Sequence, residues 1–581
     1  MKISNKGGLS LDKLRLLAIA RGEELADLVI KNAKIINVYT KDIDTGNLAI
    51  ADGTIIGIGD YAGKEEIDLS GYYLAPGFID GHVHIESSML TPNNYARAVL
   101  KRGTTLVVAD CHEIANVLGD TGIDFMLETA KASSIDVFMM IPSCVPSTPF
   151  ETSGAILKAK DIEKYRKSKN VLGLGEMMDY PGAIHGNSDV LEKLEIFNDL
   201  VIDGHAPSVT GKELNAYRLN GIATDHECTT PEELIEKVKL GMYVHLREGS
   251  QTKNVSDLLG GLNPAYYNRI LFCSDDLHPS DINRIGHIDN NINIAIKNGI
   301  EPIAAISMAT LNIAECYNLK NVGAIAPGKQ ADFVCFKDLD NIKINHVFKN
   351  GKTVVWENKL LVDPVKIDTG KVTDTVKIDF DNIDLNVKLN SDLVNVIGLV
   401  KNNVTTKKLV ERVVLKDGLF LSKNNPGLLK LCVLERHKKS GNIGKGIVKG
   451  YGLKNGALAM TIAHDSHNLI CLGDNDLDMM LAIEKIKNIG GGIVLVSENK
   501  VLDYLNLEVA GLMTSKTLEF VEERLDSLDK LIRNMGVSEE IEDPFLQLAF
   551  LSLAVIPELK LTDLGLFDVS KYKIISLEAG E

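Results

Sequence analysis

Short apolar runs set the rhythm of this chain. Between residues 74 and 325 they recur as "APGFIDGHVH", "TTLVVAD", "DVFMMIPS", "NVLGLGEMM", "LVIDGH", "IATDHE", "MYVHLRE" and "ILFCSDD". Segments of helical period separate most of them, as in "LTPNNYARAVLKRG" and "TPEELIEKVKLG". Continuous apolar runs of this length fit parallel strands buried on both faces. Eight strand–helix units in succession predict an α/β fold, a (β/α)8 TIM barrel.

The pattern differs on either side of the barrel. Residues 11–26 read as a short amphipathic helix. From "ADLVIKNAKIIN" to "NLAIADGTIIGIGD" short strands alternate with Gly, Asn and Asp turns, a β module. After the barrel, "GAIAPGKQADFVCFKD" and "INHVFKNGKTVV" return to strands and are expected to complete it. The module is then a small β-sandwich, discontinuous in sequence. Residues 362–400 are polar and carry no clear element. Beyond them, strands such as "ALAMTIA" and "GGGIVLV" alternate with helices such as "LDMMLAIEKIKN" and residues 517–535. The expected division is 1–73 for the helix and β module, 74–325 for the barrel, 326–362 for the completing strands and 363–581 for a C-terminal α/β domain.

Composition narrows the class. The 581 residues exceed one ordinary core. With 45% hydrophobic and 24% charged residues the chain reads as globular. A net charge of −16 argues against nucleic acid as a partner, because phosphate binding needs clustered Lys and Arg. The eight cysteines form no CxxC pair and read as reduced thiols. "MKISNKGGLS" lacks a signal-peptide core, and no run approaches the ~18 apolar residues of a membrane span. A cytoplasmic protein with no membrane partner is expected.

The chemistry sits at the ends of the predicted strands. His82 and His84 are two apart in a strand, so they project together, near the carboxyl end where barrel enzymes build their sites. Strand two ends in Asp110, His112 and Glu113, strand four in Glu176, strand five in His205. Strand six ends in Asp225, His226 and Glu227; strand seven carries His245, Arg247 and Glu248; strand eight ends in Asp275 and Asp276. One buried histidine is ordinarily structural. Histidines and carboxylates converging on one barrel mouth instead suit a divalent cation, which neutralises the carboxylates and takes the imidazoles as ligands. His82, His84, Glu176, His205, His226 and Asp275 are too many donors for one tetrahedral site with room for substrate. Two metals bridged by a carboxylate and a hydroxide use them all. Asp275 is then placed to take the water's proton and deliver it to the leaving group.

At these residues the chain resembles the amidohydrolase superfamily: HxH after strand one, a carboxylate or carboxylated Lys on strand four, His on strands five and six, Asp on strand eight. Here strand four reads "GLGEMM", with Glu176 and no lysine, which weakens a cyclic-amide hydrolase reading. The finer resemblance is to the bacterial adenine deaminase family, carried by "PGFIDGHVHIESSM", "HEIANVLG", "GLGEMM", "DGHAP", "DHECTT", "LREGS", "CSDD" and "GNIGKGIVKGYGLKNGALAMTIAHDSHNLICLG". The resemblance implies deamination of adenine to hypoxanthine and ammonia in purine salvage. It implies two Mn²⁺ or Fe²⁺ per site, Zn²⁺ being an alternative, on the six ligands named above. It implies hydroxide attack at C6, Asp275 as proton shuttle, and a second acid for the ring among Glu113, Glu227 and Asp276. His112 and Arg247 are candidate substrate contacts. The expected partner is adenine, and the expected assembly a homo-oligomer, a dimer.

Other signals stay open at this level. "AHDSHN" (His464, Asp465, His467) reads as a capped turn, as a closure over the barrel mouth, or as another cation site. "GNIGKG" lacks the P-loop spacing, and the HxE at His84 and Glu86 lacks the PCxxC partner of zinc nucleobase deaminases. A different aminopurine, a cyclic amide, or a metal-free scaffold are the competing functions, since one barrel hosts many chemistries.

Overall fold

The computed structural model describes residues 11–580. "MKISNKGGLS" lies outside the described residues. Eight parallel strands form the central barrel: β1 (Phe78–Val83), β2 (Thr104–Asp110), β3 (Asp136–Ile141), β4 (Val171–Met177), β5 (Val201–Gly204), β6 (Thr224–Asp225), β7 (Tyr243–Arg247) and β8 (Ile270–Cys273). Hydrogen bonds join β1 through β5 in sequence order and β6 through β8 likewise. The Ala223 N–H donates to the Ile202 carbonyl across one seam, at 2.8 Å. At the other, the Asp275 N–H donates to the His82 carbonyl at 3.0 Å. Val83 and Asp275 bridge in parallel there. Every residue of β1 and β2 is buried, as strands walled by helices on one side and packed side chains on the other must be.

The first helix runs Leu11–Ala20, shorter than the predicted 11–26. "RGEE" cannot extend it, because Gly22 turns the chain at φ +78. Strands Ala26–Asn37, Asp42–Ala51, Thr54–Gly59, Gly63–Asp68 and Tyr73–Pro76 join Phe333–Phe336, His346–Lys349, Lys352–Trp356 and Lys359–Leu360 in one nine-stranded sheet. The segments flanking the barrel therefore share a sheet. Its two ends fold together, so that Ile50 and Ile55 share a core with Phe333 and Phe348.

Residues 361–392 carry only a 3-10 turn at Phe380–Asn382 and no long strand. An eight-stranded sheet follows, built from Leu393–Leu399 to Lys500–Asn506. Helix Asp476–Ile489 packs on it through Met479, Ala482, Ile483 and Ile486. Helix Leu518–Asn534 and a small sheet from Leu559 to Ile575 complete this part. It is fastened to the barrel mouth. The Thr514 N–H donates to the Met89 carbonyl at 2.9 Å, and the Thr91 N–H to the Thr514 carbonyl at 3.3 Å. On the other side the Thr152 N–H donates to Asp563 Oδ1 at 2.8 Å. Among the described residues, no helix is long and apolar enough to cross a membrane.

Candidate metal centre and its cavity

β1 and the turn after it bring His82 Nε2 and His84 Nε2 to 3.2 Å of each other. His84 Nε2 lies 3.2 Å from Glu176 Oε1 and 3.3 Å from Asp275 Oδ1. His82 Nε2 lies 3.6 Å from the same Asp275 oxygen. The other Glu176 oxygen, Oε2, faces His205 Nδ1 at 2.7 Å and His226 Nε2 at 3.1 Å. Glu176 thus stands between two groups: Oε1 contacts His84, which has His82 and Asp275 beside it, and Oε2 contacts His205 and His226. Donor atoms around a cation bonded at about 2.0–2.2 Å are expected roughly 3 Å apart, and these separations fit.

The tautomers fit as well. His84 Nδ1 lies 3.2 Å from the Asp110 carbonyl oxygen, which can only accept. In the neutral ring the proton is therefore on Nδ1, which leaves the Nε2 lone pair for the centre, as a metal ligand requires. With the Nε2 atoms of His82 and His84 facing each other and two carboxylates alongside, this donor set suits a divalent cation.

Electrostatics point the same way. Burial disfavours charge on every imidazole here, yet His84 is held well above its ordinary pKa, with Asp275 and Glu176 bonded to it. His205 is raised to about 9, Glu227 and Glu176 outweighing its burial. His226 moves down instead, from burial and the neighbouring His82. Burial pushes Glu176 and Asp275 up, but the His205 ring and the Arg247 guanidinium carry them well below the usual carboxylate range. Such a cluster attracts positive charge, which protons supply in the metal-free chain and cations displace.

Neighbouring residues hold these ligands in place. Asp80 accepts the backbone N–H groups of His82 and Ser274, at 3.2 and 3.0 Å, tying the ends of β1 and β8 together. Asp110 accepts the Glu176 N–H at 3.0 Å and the His112 N–H at 3.1 Å. Asp110 reaches β4 because residue 175 is glycine: a Cβ there would lie 2.1 Å from Asp110 Oδ2. Arg247 forks onto Glu227, with Nη1 to Oε1 at 2.5 Å and Nη2 to Oε2 at 3.0 Å, and also reaches Asp275 Oδ2 at 2.8 Å. Asp225 turns away to Lys237, at 2.8 Å. His245 is buried below the centre, behind His82.

Two protein families match this chain. Residues 73–354 match the amidohydrolase family and residues 403–573 the adenine deaminase C-terminal domain. An adenine deaminase of Clostridium acetobutylicum is 51% identical over 96% of this chain and 98% of that protein. One from Geobacillus kaustophilus is 44% identical over 97% of this chain and 98% of that protein. The chain belongs to the adenine deaminase family. Among solved structures, an atrazine chlorohydrolase from Arthrobacter aurescens complexed with zinc overlaps at a TM-score of 0.45 and 15% identity, over 58% of this chain and 97% of that one.

The C-terminal domain that marks this adenine deaminase family closes over the barrel mouth. A cavity of about 510 Å³, its open mouth included, is floored by the histidines and carboxylates and walled by Val404, His464, Asp465, Phe550, Leu553 and Ile556. His112 sits between the two parts, with Nδ1 3.4 Å from Glu176 Oε1 and Nε2 4.0 Å from Asp465 Oδ1. Glu113 faces His464 Nδ1 at 3.2 Å and His467 Nε2 at 3.9 Å. These three could hold a cation by position alone. However, His467 Nδ1 accepts the Ala463 N–H at 3.2 Å. Its proton is then on Nε2, which suits a contact to Glu113 and not a metal. "AHDSHN" is therefore a closure over the mouth.

Sequence reasoning placed Asp110 at the barrel mouth without a role, and did not anticipate Asp80 or Ser87 as site residues, nor the wall from Val404 and Phe550–Ile556. The aspartates lie within the quoted strands, and an alternating in-facing position was their available signal. "FLSLAVI" reads as any core segment.

Proposed function

We propose that this protein hydrolyses adenine to hypoxanthine and ammonia at the barrel mouth. The observation that carries the proposal is the placing of Glu176 with one oxygen on His84, beside His82 and Asp275, and the other on His205 and His226, under a domain that matches the adenine deaminase C-terminal domain. His82, His84, Glu176 and Asp275 would hold one divalent cation, and Glu176, His205 and His226 a second. Mn²⁺ or Fe²⁺ suits this mixed N/O set, as does Zn²⁺. The cations would supply an acidified water as nucleophile and polarise the substrate.

The chain's own groups do the rest. Asp275 divides its oxygens between the histidine pair and Arg247, so it can take a proton at the centre and return it to the departing amine. Among the acids for the ring nitrogen, Glu227 has both oxygens engaged by Arg247, and Glu113 faces His464 and His467. Asp276 makes no salt bridge among the described residues: its side chain accepts the Ser87 hydroxyl at 2.5 Å, and burial and the neighbouring Asp275 raise its pKa, with His464 and His84 opposing them. Asp276 is therefore the assigned proton carrier for the ring. The reading places the protein in cytoplasmic purine salvage, acting as a homodimer.

The test is turnover of protein grown with Mn²⁺. One ammonia per adenine consumed is expected, with a chelator abolishing it and cyclic amides untouched. Hydrolysis of a cyclic amide with adenine unchanged would overturn the proposal.

A further inference from the structure

The floor of the cavity is accounted for by metal chemistry; its wall is not. The wall comes from the C-terminal domain and is apolar at Val404, Phe550, Leu553 and Ile556. Two groups in it break the pattern: His464, which faces Glu113 at 3.2 Å, and Asp465. Asp465 lines the cavity with its side chain only 6% exposed. Its Oδ2 is buried and has no hydrogen-bond partner. Its Oδ1 approaches only His112 Nε2 and His464 Nδ1, each at 4.0 Å. A buried carboxylate oxygen without a donor is costly, and a carboxylate can only accept. The missing element is a donor carried by the ligand.

Position says which donor. The His112 ring spans the gap between Glu176 and Asp465, so Asp465 stands about one imidazole away from the reacting centre. With C6 of adenine at the centre, the five-membered ring points outward toward the wall. That ring carries a single N–H in the free base. A nucleoside has none there, because the sugar replaces it. The flat apolar wall suits the faces of a purine, and Phe550 stacks on the His464 ring at 4.7 Å, stiffening it.

Resting on the deaminase reading above, we propose that Asp465 accepts the imidazole N–H of the purine and so selects the free base over N9-substituted purines. A site built to hydrogen-bond an N–H rejects the analogue lacking it strongly, because its buried acceptor is then left unpaired. The device belongs to the C-terminal domain, which gives that domain a role in the reaction beyond covering the barrel.

The test compares adenine with 9-methyladenine in wild type, Asp465→Ala and Asp465→Asn, with metal content measured for each. Wild type is expected to favour adenine by at least about 10³-fold in kcat/KM. Asp465→Ala should lower adenine kcat/KM by about 10²-fold, mostly through KM, and raise that of 9-methyladenine, which no longer leaves a buried acceptor unpaired, so that the ratio falls by more than about 10²-fold. Asp465→Asn keeps the shape and one accepting oxygen and should fall between. Unchanged metal content shows that the folded centre survives. Wild-type turnover of 9-methyladenine within about threefold of adenine, or equal losses on both substrates in Asp465→Ala, would overturn the assignment. If wild type binds purines without releasing ammonia, the deaminase reading falls, and the ratio of the two dissociation constants still decides the Asp465 contact. No binding of adenine overturns both.

Discussion

Arg247→Met removes the guanidinium that faces two carboxylates of the centre, Glu227 and Asp275. Arg247, Glu227 and Asp275 have side chains 10%, 8% and 6% exposed, so little water can replace the lost charge. Removing one partner of a buried pair costs about 3–5 kcal/mol. At 1.36 kcal/mol per pKa unit, that corresponds to an upward carboxylate shift of about 2–4 units. Glu227 has room for it: burial raises its pKa, yet Arg247 brings it down from 4.5 to about 2. A depressed carboxylate stabilises the fold above its unfolded pKa, and this contribution is lost as pH falls through the folded value. For Glu227 the window runs from 4.5 down to about 2. The loss in Arg247→Met should therefore be full at pH 7 and shrink below about pH 4.5 as the carboxylates take up protons. Urea unfolding of the metal-free protein, followed by circular dichroism at pH 7 and pH 4, reads this directly. Arg247→Lys restores the charge without the two-pronged geometry and should recover about half. A loss at pH 7 below about 1 kcal/mol, or one of equal size at both pH values, would refute the reasoning.

Three further outcomes follow from local contacts. Lys560 is buried, its pKa lowered to about 7 by burial alone, and it donates to the Val404 and Phe550 carbonyls at 2.6 and 2.9 Å. Because the folded state binds this proton less well than the unfolded one, stability should rise between about pH 7 and 10.5, with a slope contribution of about 1.4 kcal/mol per pH unit, and Lys560→Met should remove that slope in calorimetric scans. Ser87→Ala takes away the hydroxyl bonded to Asp276 and should lower kcat by about tenfold or more with metal content unchanged. Gly175→Ala sets a Cβ against Asp110 and should release the Glu176 N–H, so that metal binds at least about tenfold more weakly in a competition titration.

The barrel was legible because most of its strands are buried apolar runs ending in polar residues, as "TTLVVAD" shows. The six candidate ligands were legible for the same reason: His82 and His84 share a strand face, and Glu176, His205, His226 and Asp275 each fall at the end of a run. Pairing across the barrel was not legible. Nothing in "FIDGHVH" says that Asp80 will clamp the Ser274 N–H at the end of the neighbouring β8, 194 residues on. The same holds for the cavity wall, because Asp465 gains meaning only from the distance to His112. The first helix stopped early at a glycine turn, and residues 361–392 stayed irregular because their polar pattern has neither period.

The central claim is that Glu176 bridges two cations, and Glu176→Gln tests it most directly. The amide keeps the shape but offers one accepting oxygen in place of two. Metal counted after Mn²⁺ loading should fall from two per chain in the wild type to one or fewer, with adenine turnover reduced by about 10³-fold or more. Two tightly held metals and near-normal turnover in Glu176→Gln would contradict the account.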